Sequence, residues 1–124
     1  MNLASAYLAL GGVTTIGFGI AYAVRSRQMA RMVGIELPDA SARADYRSIY
    51  AGAQIAIGIF FLVAAQSAAW LAPGLAAVAL FACGFGVARL CSLAIDRAKW
   101  EVQWVIGATE ILAGSVAAWL LSRI

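Results

Sequence analysis

Apolar runs dominate this chain, and its charges fall in the short stretches between them. Residues 1–24 carry no charged side chain, 25–47 hold a cluster of arginines, and 48–88 are again free of charge. Residues 96–101 then form a charged turn ahead of a last apolar run. A helix needs about 20 apolar residues to cross the hydrocarbon core of a bilayer. The first run meets that length, whereas 48–88 is too long for one span and right for two. Its break is expected near Gln66-Ser67, with Pro73-Gly74 as a second helix-start signal. The pattern predicts an all-α membrane protein, a four-transmembrane-helix bundle forming one integral membrane domain. The spans are expected at 3–24, 45–65, 70–95 and 102–122. Ala21-Tyr22-Ala23 imitates a signal-peptidase site, but nothing basic precedes Arg25, so the first run reads as a retained span.

Two readings stand for the arginine-rich stretch. In SRQMARMVGI, Met29, Met32 and Val33 group together with Arg25, Arg27 and Arg31 outside them, as in a short helix lying in the membrane interface. A charged loop whose arginines snorkel to headgroups explains the same residues. Pro38 then punctuates the chain, and Asp39 or Ser41 is placed to cap the next helix. Asp45 suits the first turn of that helix, where the dipole favours an anion. Tyr46 and Tyr50 read as interface anchors.

Composition supports lipid as the solvent. The chain is 64% hydrophobic and 12% charged, against about a quarter charged in soluble domains. The net charge of +3 is carried by loops, so it argues for a membrane topology and not for nucleic acid. Histidine, the commonest general base and metal ligand, does not occur. Cys83 and Cys91 lie eight residues apart on one expected helix, about 12 Å of rise and too far for a disulfide. No cofactor or metal site is expected.

The basic residues Arg25, Arg27, Arg31, Arg43 and Arg47 flank the first loop, and Arg89, Arg97 and Lys99 gather at the third. Both groups fall on one side of a four-span topology, the side expected to face the cytoplasm. Both termini are then expected outside, in a bacterial inner membrane. Trp100 and Trp104 mark one interface and Trp70 and Trp119 the other, as an aromatic belt would. Glycines at 11, 12, 17, 19, 52, 58, 84 and 86 suit close helix contacts.

Arg89 and Glu110 break the apolar pattern. A charge at the bilayer centre costs about 2.5–3.5 kcal/mol on the insertion scale, so such groups seek partners. Arg89 precedes Asp96 by seven residues and Glu110 follows Glu101 by nine, depths of about 10 and 13 Å along antiparallel neighbours. An intramembrane Arg89–Glu110 pair is predicted. Helical spacing extends it to polar stripes: Arg89, Ser92 and Asp96 on the third span, Arg47, Tyr50 and Gln54 on the second, and Gln103, Gly107 and Glu110 on the fourth. Thr14 and Thr15 are expected nearer the middle of the first span. Such a cluster either fixes helix packing as a closed hydrogen-bond network or lines a pocket. The pocket reading is favoured for Arg89 and Glu110, and the packing reading for Gln54, Ser92 and Gln103.

The stretches ADYRSIYAGAQIAIG, VARLCSLAID and GATEILAG resemble a bacterial family of small four-span membrane proteins, domain-of-unknown-function family 4345. The resemblance runs from the second span to the end. It implies that Arg47, Tyr50, Gln54, Arg89, Ser92, Asp96 and Glu110 are the matching polar positions. The family pattern has glycine after the aspartate, where this chain has Arg97. A looser similarity to DoxX-like proteins rests on size and helix count. These readings lead to a binding or accessory protein, with those seven residues around a lipophilic molecule whose polar head meets Arg89. Membrane lipids, a larger membrane complex or further copies of the chain are the expected partners, and nucleic acid is not. A small transporter is the alternative. A lipid-modifying enzyme ranks last, because no nucleophile–base or nucleotide-binding motif occurs.

Overall fold

A computed structural model describes residues 2–124. Its helices are α1 (Leu3–Val24), α2 (Ser26–Met32), α3 (Ala40–Ala65), α4 (Ala68–Ile95) and α5 (Glu101–Leu121). Four of them, with 22, 26, 28 and 21 residues, are long and apolar enough to cross a membrane. Helix α1 packs along α3, and α4 along α5.

Local chemistry sets the ends. The Asn2 side chain accepts the Ser5 N–H at the start of α1, and Asp39 accepts the Ala42 N–H at the start of α3. Helix α3 therefore begins five residues before the expected 45, and Asp45 lies in its second turn. Between α3 and α4 the chain turns at Gln66 and Ser67, where the pattern placed the break. Pro73 proves to lie inside α4 and does not begin it. It sits in the second turn, where it leaves the Ala69 carbonyl without its backbone donor. Helices α2 and α4 end alike. The Ile35 N–H returns to the Ala30 carbonyl and the Ala98 N–H to the Leu93 carbonyl, both at 2.9 Å. Each leaves a left-handed residue one position earlier, Gly34 at φ 79° and Arg97 at φ 53°. Position 97 thus demands the conformation glycine adopts freely, and the arginine there carries a cost of about 1–2 kcal/mol.

Close backbone approach decides which glycines matter. A Cβ on Gly12 would stand 2.8 Å from the Gly58 carbonyl oxygen, and one on Gly58 2.7 Å from the Gly12 carbonyl. Gly86 meets the Gly107 carbonyl on α5 in the same way, at 2.9 Å. Gly11, Gly17 and Gly84 face open space, so the expectation of close contact fails for them.

The buried core is one-sided. Ala4, Leu8, Phe61, Ala64, Leu71, Leu75, Ala117 and Leu120 form it, and all belong to the half of the bundle nearest the termini and the 66–67 turn. There the Tyr7 hydroxyl donates to the Ala113 carbonyl at 2.6 Å, tying α1 to α5. Toward the charged loops that cluster gives way to a few buried residues, Ala30, Tyr46 and Ala51, beside polar groups and a cavity. Trp70 and Trp119 sit exposed at the first end and Trp100 and Trp104 at the other, in two belts.

Candidate functional site

The Arg89 guanidinium is held from three sides. Its Nε donates to Glu110 Oε2 at 3.0 Å and its Nη2 to Oε1 at 2.9 Å, a bidentate pair between α4 and α5. Its Nη1 donates to Gln103 Oε1 at 2.5 Å. Gln103 in turn donates through Nε2 to the Val33 carbonyl at 2.8 Å, just past the end of α2. This is the one salt bridge among the described residues. Gln103, which the stripe marked as a packing residue, connects the pair to the segment that follows α2. No spacing rule could reveal that link, because Val33 offers a backbone atom.

Glu110 stands between two spaces. On one side is Arg89, whose own concavity is bordered by Ser92, Asp96 and Gln103. On the other, Glu110 borders a cavity of about 360 Å³ that draws its wall from all four long helices. The wall is mainly apolar, with Leu10, Ile57, Phe81 and Phe85 among its residues, and its polar groups are Tyr7, Thr14, Thr15, Gln54 and Glu110. Leu10, Phe81 and Phe85 are more than half exposed, so the cavity opens laterally between α1 and α4. The sequence reading set Arg89 against a ligand head with Glu110 behind it. The structure gives each group its own space: Glu110 borders this cavity and Arg89 the concavity beside Ser92 and Asp96.

Ser92, Thr109 and Ser122 return their hydroxyls to carbonyls of their own helices. Tyr7 gives its hydroxyl to Ala113. Among the described residues, Thr14, Thr15 and Gln54 border the cavity and make no such side-chain bond; away from it, the Tyr46 hydroxyl is buried with no partner.

The α3 stripe divides. Residues Arg47–Gly52 form a π-helical turn, in which the Ala53 N–H bonds the Ser48 carbonyl five residues back. The wider turn changes the phase of whatever follows. Arg47 reaches back to the Ala23 carbonyl at 3.1 Å, away from Arg89. Tyr50 stacks on Tyr46 with ring centroids 4.5 Å apart, and both meet the edge of Tyr22. Only Gln54 of the three reaches the cavity. Tyr46 is 4% exposed, so it is a packing residue and not an interface anchor. Asp96 borders the Arg89 concavity at the end of α4 without bonding Arg89.

Of the seven candidate positions, the structure therefore joins Arg89 to Glu110, sets Gln54 across the cavity from Glu110, and leaves Ser92 and Asp96 on the Arg89 side. Tyr50 stands near Arg89 without bonding it, and Arg47 lies elsewhere, on the Ala23 carbonyl. Such an arrangement, a neutral ion pair beside an apolar cavity with unused hydroxyl and amide groups, defines a small four-span helical membrane protein with an internal polar site. The model of one family, the domain of unknown function DUF4345, matches residues 3–121, and the chain belongs to that family. No curated protein and no solved structure matches it.

Proposed function

We propose that the protein binds an uncharged lipophile with a hydroxyl head, taken laterally from the bilayer into the cavity beside Glu110. The observation that carries this reading is the set of unused polar groups, Thr14, Thr15 and Gln54, in an otherwise apolar cavity at membrane depth. Pockets for small molecules combine apolar walls with a few placed polar groups. Glu110 is already neutralised by Arg89, so neither an anionic nor a cationic head gains a free counter-charge. A carboxylate only accepts hydrogen bonds, which favours a head that donates one. Gln54 offers the matching donor and acceptor from the opposite wall. Both carboxylate oxygens are engaged by Arg89, which favours binding over proton-coupled transport. In this reading the charged loops face the cytoplasm of a bacterial cell, by the distribution of arginine.

Spin-labelled chains of equal length ending in alcohol, carboxylate or amine test the proposal in reconstituted membranes. The alcohol is expected to show an immobilised component above the bulk-lipid background. Gly11→Leu should abolish it, because Gly11 borders the cavity and has nothing within 4 Å of its missing Cβ. Preference for the carboxylate or amine, or immobilisation unchanged by Gly11→Leu, contradicts the proposal.

A further inference from the structure

A third concavity lies where α1 gives way to α2, against the first turns of α3. Its volume is about 410 Å³, and Arg25, Arg27, Arg43 and Arg47 all border it with Val24 and Gln28. No acidic residue does. Among the described residues, none of these four arginines forms a salt bridge. The fold itself brings them together. Arg25 is the single residue between α1 and α2, and Ser26, 4% exposed, buries the corner. Arg43 and Arg47 stand one turn apart on α3. The Nε of Arg47 is spent on the Ala23 carbonyl near the end of α1, where the helix dipole favours a cation. That bond leaves both of its terminal nitrogens free.

Four uncompensated guanidinium groups around one hollow repel each other unless an anion joins them. Each guanidinium presents a fork of donors matched to phosphate oxygens, so four forks suit two phosphates. The hollow also lies at the ends of two membrane-spanning helices. Val24 on its rim is 74% exposed and Ile49, on the neighbouring turn of α3, is 65% exposed, an apolar surface for acyl chains next to the charge. Basic pockets between transmembrane helices on the cytoplasmic side suit polyanionic lipid headgroups. We infer that this hollow is a binding site for a lipid with two phosphates in its headgroup. The site is separate from the Glu110 cavity and does not depend on what that cavity holds.

The test uses the full chain in phosphatidylcholine nanodiscs containing a diphosphatidyl lipid, containing phosphatidylglycerol, or containing neither with soluble pyrophosphate added. Lipid retained on the released protein is read by native mass spectrometry. The diphosphatidyl lipid is expected to be retained as a single adduct. Arg43→Gln with Arg47→Gln should weaken it roughly thirtyfold, the headgroup attraction of two arginines. The charge-matched pair Arg31→Gln with Arg97→Gln, outside the hollow, should leave it intact. Arg43→Lys with Arg47→Lys keeps the charge and loses the forks, and guards against misfolding of the glutamine variant. It should retain less lipid than the native chain. Equal loss in both glutamine pairs would mean diffuse attraction and overturn the site. Equal retention of phosphatidylglycerol, or equal retention of pyrophosphate from discs with neither lipid, would overturn the two-phosphate lipid assignment.

Discussion

Replacing Arg89 with methionine is expected to destabilise the bundle by about 3–5 kcal/mol, the usual cost of stripping one partner from a buried ion pair. The side chains of Arg89 and Glu110 are 30% and 22% exposed. In a soluble protein that exposure would soften the loss. Here much of the accessible surface faces a membrane cavity or lipid, so Glu110 cannot recover its hydration without distorting the bundle. Gln103 loses its donor as well, so its own bond to the Val33 carbonyl is no longer braced from the Arg89 side. Glu110→Leu alone should cost a similar amount by leaving the guanidinium unpaired. The double variant Arg89→Met with Glu110→Leu should be far more stable than either single change, because two apolar side chains of similar size satisfy the same space. Unfolding in mixed micelles, read as a double-mutant cycle, measures the coupling. Additive single effects would show that the pair is not an energetic unit.

Gly58→Leu is the second large effect. The Gly12 carbonyl lies 2.7 Å from where a Cβ would stand, and the Ile16 backbone nitrogen 3.0 Å. Backbone atoms of a packed helix have no rotamer to give, so α1 and α3 must separate. Inside a bilayer, helix association rests on close packing and interhelical hydrogen bonds, since lipid is as apolar as the side chains. A loss at or above the upper end of the 1–3 kcal/mol typical of overpacking is expected. Gly17→Leu, in open space on α1, should leave thermal unfolding of the detergent-solubilised protein near the native value. A common response of both variants would place the α1–α3 contact elsewhere.

The spans were legible in the sequence because charge is costly in hydrocarbon and bilayer thickness is fixed. Those two constraints put the turns at 66–67 and near 96–101 without knowledge of packing. The Arg89–Glu110 pair was legible for the same reason: a short turn between antiparallel helices converts sequence distance into depth. The departure of Arg47 from the α3 stripe was not, because spacing arguments assume 3.6 residues per turn and the π-helical turn at Arg47–Gly52 breaks that period. Which glycines touch a neighbour depends on how the helices cross, so Gly12 and Gly58 looked no different from Gly11 and Gly17. The side of Glu110 that meets the cavity, the bond from Gln103 to Val33 and the gathering of four arginines all depend on helices far apart in sequence. Arg97 is the instructive middle case. A glycine was expected there, and the φ of 53° shows why that residue suits the position.

Native mass spectrometry of the protein released gently from its own membranes tests the central claim most directly, that the cavity beside Glu110 holds an uncharged lipophile. The account predicts a discrete adduct of one mass, identified after extraction as an uncharged molecule bearing a hydroxyl group, and absent from Gly11→Leu. Bare protein, or a ladder of bulk phospholipids identical in the native chain and in Gly11→Leu, would contradict it and leave Arg89 and Glu110 with packing alone.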